Sequence, residues 1–569
     1  MDKRFFLALL LTGAVVVVTP ILFPRPKQAA PPVAIVSPTV AAPTSGTPGA
    51  ASSAGAALPA THIPARAAQG APAVASAVAD TVSLTNELTT FRFSSLGASF
   101  LSADLPGFEK LGGLAGSVQL AHGREAMVRY RVIAGGDTLA LDQVPFTAVQ
   151  DSVGGRAGVT FSGMLGTVPV EISYRIAADN YLADVTVRAK GLPQPAFLLT
   201  ELPSGFNSQE ADTTEDHRHL AYAMKPASGG AERIDFRKPD AGERMLQAGP
   251  ITWAVAKSKY FLVGVLAREA AASPFGEVQV TGEPRVNKVA VRAHATVIAP
   301  LPESGVRFEL YAGPQEWERL VAMGREFENT NPYGGFASNV IQPFATIVMR
   351  ILLWMKRTLQ IEYGWILVIF GVAIRLAMWP LNTRMMRSSM QMQRVAPDVQ
   401  AAQTKHKGDP EKQREAVMKV YSEAGVSPFA ALSGCLPMLL PMPILFALFF
   451  VFQNTIEFRG VSFLWLADIS LKDPYYILPL AMGASMYALS KVGMRNVPPN
   501  PQTKMMSILM PVIMTVALLN FASGLNLYYA VQNLAALPQQ WLISNERAKV
   551  RPTGKSTTVV AGGSERKKR

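Results

Sequence analysis

Arg375 stands inside a run from Tyr363 to Thr383 (YGWILVIFGVAIRLAMWPLNT) that holds no other charge and is long enough to cross a bilayer. An arginine at mid-membrane costs about 2.5 to 3.5 kcal/mol on insertion scales, so it is expected to face a bundle interior or a water-filled cavity rather than lipid. The chemistry open to it there is attraction of an anion. A second candidate is His217-Arg218-His219 beside Glu215 and Asp216, which offers two metal ligands but no third cluster, so a solvated loop is expected. The chain holds no G-x-S-x-G, H-E-x-x-H or Walker A motif. No ATP hydrolysis, metal or cofactor is therefore expected, and the protein reads as non-enzymatic.

The elements that must position Arg375 are membrane spans. Of the 569 residues 49% are hydrophobic and only 17% charged, a balance unlike that of ordinary soluble domains. Lys3 and Arg4 precede nineteen uncharged residues, Phe5 to Phe23, followed by Pro24-Arg25-Pro26. That length fits an uncleaved anchor over 1–23 better than a cleaved signal peptide. Further spans are expected at 361–383, 430–456 and 475–490. Met505 to Asn545 is uncharged for 41 residues, roughly 61 Å as one helix, which is twice the bilayer core. It divides at Phe521-Ala-Ser-Gly524 into spans 505–521 and 525–543, which makes six in all.

Basic residues set the orientation. Lys3 and Arg4 place the N-terminus in the cytoplasm, together with loop 382–427 (eight Lys/Arg), loop 491–504 (three) and the tail after 545 (eight). Arg350, Lys356 and Arg357 oppose this from outside and are outweighed. The net charge of +13 is thus concentrated on the cytoplasmic face, where it suits anionic lipid headgroups or ribosomal RNA, or simply fixes topology. The single cysteine, Cys435, excludes disulfides within the exported domain. Leu432-Ser433-Gly434-Cys435 matches a lipoprotein box, but lies far too deep in the chain to be one.

Residues 24–80 are rich in Ala and Pro and cannot build a core, so they form a disordered exported linker. From 81 to 330 short alternating runs appear, such as Val168 to Ile176, Asp184 to Arg188 and Val289 to Val297, with turns at Gly154-Gly155 and Gly229-Gly230. They predict a large all-β sandwich. Residues 339–360 place apolar side chains at helical spacing opposite Arg350 and Arg357, as in a helix lying in the outer interface or packed as a stem on the β domain. Residues 384–428 predict a cytoplasmic helical hairpin, with Asp409-Pro410-Glu411 starting its second helix and Gly425 ending it. Its Arg384, Met385, Met386 and Arg387 suit contact with varied apolar clients, or else coiled-coil packing within the hairpin. The tail occupies 544–569 and closes on Arg566-Lys-Lys-Arg569.

Four blocks occur in order: Ile374-Arg375-Leu376 with Pro380-Leu381-Asn382; Gly434-Cys435-Leu436-Pro437 with Met442-Pro443; Asp473-Pro474-Tyr475-Tyr476-Ile477-Leu478-Pro479; and Phe521-Ala-Ser-Gly524-Leu525 with Leu527-Tyr528-Tyr529. In these the chain resembles the YidC membrane protein insertases, and the resemblance extends to the anchor and exported domain of their Gram-negative members. It implies a polytopic α-helical protein of the bacterial inner membrane with a periplasmic β-sandwich. Its partners would be nascent membrane proteins, the Sec translocon, the ribosome (through the cytoplasmic loops and tail) and the lipid bilayer. It also implies a groove open to the cytoplasm and lipid, with Arg375 as its charge and Tyr529, the counterpart of a substrate-facing tyrosine, opposite. Tyr528, Asn520, Asn526, Gln532 and Asn533 are further candidates for the wall, or else polar bridges between helices. Many relatives carry a hydroxyl one turn before the arginine, where this chain has Gly371. The exported domain resembles a sugar-mutarotase sandwich whose catalytic residues find no match here. Three alternatives remain: a secondary transporter, which would require inverted repeats, an intramembrane enzyme, which would need paired acids or a serine-histidine set in the spans, and a periplasmic sugar-binding sensor.

Overall fold

The computed structural model describes residues 79–269, 273–287, 289–331, 338–406, 408–423, 442–495 and 501–549. The expected anchor, nearly all of the linker, the Gly434-Cys435-Leu436-Pro437 block and the tail beyond 549 lie outside the described residues. Alternation builds the β domain. In the strand Val168–Ile176, residues Val170, Ile172, Tyr174 and Ile176 turn inward while their neighbours face out, the period-two pattern of a half-buried strand. It pairs antiparallel with Leu182–Ala189, setting Tyr174 opposite Val185 and Ile172 opposite Val187. A four-stranded antiparallel sheet spanning 81–120 lies over a larger sheet of fourteen strands. Phe93 of the small sheet meets Tyr174 and Phe161 of the large one at ring-centroid distances of 4.3 and 6.4 Å, and the Tyr174 hydroxyl donates to Ala98 O at 2.7 Å. Aromatic packing with a satisfied polar tip thus joins the layers.

Two expectations in this domain change. The run expected as a strand from Val289 is strand only over Ala293–Pro300, because Val289 bridges back to Val286 in a local turn. The His217–His219 segment is no open loop but ends a short helix, α1 (Thr213–Arg218). His219 packs inward with Nδ1 2.9 Å from Glu215 O, and burial holds its imidazole at about 3, neutral at any physiological pH. Among the described residues no group of three metal-binding side chains forms.

A second short helix, α2 (Trp317–Ala322), leads out of the β domain toward α3 (Ser338–Leu359) and α4 (Tyr363–Ala377). Buried Ile341, Ala345, Val348 and Leu352 line one side of α3, and Phe344, Ile347 and Trp354 are exposed on another. The chain then turns at Gln360, whose φ is 53°, and α4 leaves at 120° to α3. Helix α5 (Trp379–Lys405) follows after Met378 alone. Pro380 falls in its first turn, where a missing N–H costs nothing, and Asn382 N still donates to Met378 O at 2.9 Å. Helix α6 (Pro410–Glu423) starts on Asp409, whose Oδ1 accepts from the amides of Glu411 and Lys412. The remaining helices are α7 (Met442–Asn454), α8 (Ile477–Gly493), α9 (Pro501–Leu518) and α10 (Ser523–Lys549). Helix α10 therefore runs past the expected end of its span, with Ser544 Oγ donating to Val492 O at 2.7 Å.

Among the described residues no single helix is long and apolar enough to cross a membrane, although the bent pair α3 and α4 qualifies together. Helices α4, α7 and α8 run for only 15, 13 and 17 residues, and in the longer α10 Asn526, Gln532, Asn533, Gln539 and Gln540 interrupt the apolar sequence.

Candidate functional site

A cavity of about 110 Å³ opens between α4, α5, α7, α8 and α10, room for several waters, since about 10–15 Å³ of such space admits one. Helix periodicity supplies its walls. Ile374, Met378 and Asn382 face it from successive turns, carried across the α4–α5 junction, with Arg375 beside the first of them. From α10 come Tyr528, Gln532, Asn533 and Ala536, a stripe on one face. Ile444 and Leu489 complete an apolar rim. Arg375 is partly buried, its Nε without a hydrogen-bond partner, and among the described residues no carboxylate pairs with it. Asn533 Nδ2, by contrast, donates to Ser485 Oγ at 3.2 Å.

The predicted residues separate into groups. Arg375, Tyr528, Gln532 and Asn533 share the cavity. Tyr529 does not line it: one position on, about 100° around the helix, it stacks edge-on against Tyr528 at 5.7 Å. Tyr528, not Tyr529, therefore stands on Arg375's wall. Asn520 is exposed in the turn between α9 and α10. Asn526 is fully buried and donates to Leu518 O at 3.1 Å, a bridge within that turn. On α5, Arg384 is exposed, Met386 is half-buried and Arg387 pairs with Glu546 at 2.9 Å. The side chain of Met385 lies outside the described residues.

Asn382, Ser485, Thr383 and Gln539 are polar groups that the sequence did not single out. Gln539 Nε2 donates to Trp379 O and Thr383 Oγ1, both at 2.9 Å, tying α10 to the start of α5. The signal for Asn382 was its place two turns after Arg375, hidden by the intervening proline. Gly371 faces α10 beside the cavity, where a Cβ would lie 3.3 Å from Val531 and 3.5 Å from the Tyr528 ring. Asp473 is structural, since its carboxylate accepts from Tyr475 N, Leu478 N and Trp465 Nε1 and so organises the start of α8.

The sequence profile described as 60Kd inner membrane protein matches residues 354–550, and that of the YidC periplasmic domain matches 81–347. The membrane protein insertase YidC of Anaeromyxobacter dehalogenans (strain 2CP-1) is 31% identical over 400 residues, covering 68% of this chain and 69% of the relative. The chain belongs to the YidC family of membrane protein insertases. The Geobacter sp. (strain M21) YidC is 28% identical over 482 residues, 82% of this chain and 86% of its own. A solved structure of an active YidC insertase with its first transmembrane domain resolved covers 80% of this chain and 91% of its own at 20% identity, with a TM-score of 0.32. This YidC family member is accordingly an α-helical protein of the inner membrane with a periplasmic β domain. Its function is membrane protein insertion, its substrates are nascent membrane proteins, and YidC insertases are not enzymes in general.

Proposed function

We propose that the cavity is the wet groove in which a client's transmembrane segment and its exported flank are held during insertion. Arg375, Tyr528, Gln532 and Asn533 form its polar wall, with Tyr529 supporting Tyr528. A polar groove thins the low-dielectric slab that the flank must cross, and Arg375 attracts an acidic flank most strongly where water is scarce. Burial of the client's apolar side chains, at about 25 cal/mol per Å², supplies the driving force without a nucleotide. Of six spans, the five after the N-terminal anchor form this path, α3 lies in the outer interface on Phe344, Ile347 and Trp354, and both termini are cytoplasmic. The hairpin side chains Arg384 to Arg387 meet arriving clients, the basic loops and tail hold the ribosome, and the Sec translocon hands over other clients.

One observation carries this: an arginine faces a cavity with room for water, and no carboxylate among the described residues neutralises it. Photocrosslinkers at Gln532 and Asn520, with a small membrane protein translated on stalled ribosomes, test it. Adducts at Gln532 and few at Asn520 are expected. Adducts confined to the β domain would overturn it.

A further inference from the structure

The β domain and the outer loop between α7 and α8 meet through buried polar contacts. Arg459 Nε lies 2.9 Å from both carboxylate oxygens of Glu210, and the two side chains are only 4% and 8% exposed. The guanidinium sits over the rings of Phe261 and Tyr260, 5.5 and 6.0 Å from their centroids. Buried Tyr260 donates its hydroxyl to Ser470 Oγ at 3.1 Å. Trp317 N, at the start of α2, donates to Glu457 Oε1 at 3.3 Å.

Ser470 is also the centre of a second junction. The carbonyls of its two neighbours, Ile469 and Leu471, accept from Gly524 N at 2.9 Å and Ser523 N at 2.7 Å. These are the first amides of α10, which no carbonyl within the helix can satisfy. The Ser523 hydroxyl donates to Leu471 O as well. A Cβ on Gly524 would come within 3.3 Å of Ile469 O and of Leu367, and 3.2 Å of Phe452, so a side chain there would crowd the junction. Tyr528 follows four residues later, about 6 Å along the helix.

We propose that the β domain braces the cavity from outside: by gripping Arg459 and Ser470 it fixes the loop that caps α10, and so holds Tyr528 and Gln532 against Arg375. Glu210, Tyr260 and Arg459 are then positioning residues that touch no client. The purpose of the brace rests on the groove described under Proposed function, whereas its mechanics do not.

Amide hydrogen exchange on the full chain in nanodiscs tests it, comparing wild type with Tyr260→Phe, which removes one hydroxyl, and Glu210→Gln, which leaves Arg459 buried without its anion. Exchange over residues 521–528 should rise about two- to tenfold in Tyr260→Phe and more in Glu210→Gln. The strand Leu182–Ala189 should keep its protection, and adducts between a client and a crosslinker at Tyr528 should fall in parallel. Exchange at 521–528 unchanged in both variants, or a rise shared equally by 182–189 in Tyr260→Phe, would overturn the brace. The exchange measurement needs no client, so a localised rise without client adducts at Gln532 would instead count against the groove.

Discussion

Two arginines of the same membrane region meet opposite fates. Arg459, at the outer edge, has its charge matched by Glu210 and its faces covered by aromatic rings. Arg375 lines a cavity and, among the described residues, meets no anion. Burying a charge is costly unless it is paired and hydrogen-bonded, so a pair such as Arg459 with Glu210 signals architecture. A charge left unmatched beside an open cavity fits the proposed role of meeting a partner that comes and goes.

Breaking each arginine in turn should separate the two roles. Arg459→Ala removes the pull on Glu210 and leaves its buried carboxyl without a partner, so thermal unfolding of the full chain should show a clear drop, larger at pH 8, where the carboxyl must ionise, than at pH 6. Arg375→Ala should leave the unfolding temperature unchanged or raise it, because it removes a charge that no carboxylate among the described residues compensates. It should instead reduce insertion of a client with an acidic exported flank by roughly tenfold, or ~1.4 kcal/mol, scored by protease protection.

A smaller effect concerns pH at the paired end. Burial pushes Glu457 up to about 7, reinforced by Glu316 and Glu318 and opposed by the amide of Trp317. Burial likewise raises Glu210 to about 7 against the pull of Arg459. A carboxyl raised in the folded state adds stability below its ordinary value near 4.5 that is lost as pH rises through about 7. The contact between the β domain and the outer loop should therefore protect residues 521–528 better at pH 6 than at pH 8, and Glu457→Gln should flatten that profile. The smallest effect is expected from Arg387→Ala. Its pair with Glu546 is exposed on both sides, so unfolding should not change measurably.

The sequence made Arg375 legible because composition alone isolates one charge in an apolar span. Strands such as Val168–Ile176 were legible because one face of each is wet. Ala221–Pro226 and Phe261–Leu266 are buried on both faces, so they offer no alternation to detect. Which of Tyr528 and Tyr529 faces Arg375 could not be read, since adjacent tyrosines look alike until the rotation of α10 is known. Pro380 hid the continuity that brings Asn382 to the cavity, because a proline inside a helical pattern ordinarily ends it. The pairing of Glu210 with Arg459 joins positions 249 residues apart, and no local pattern encodes such a contact.

The claim that Arg375 attracts an acidic client flank is tested most directly by reversing both charges. Arg375→Glu should block a client whose exported flank carries Asp or Glu, and should insert the same client once those acids are replaced by Lys. Equal insertion of both clients by wild type and Arg375→Glu would contradict it.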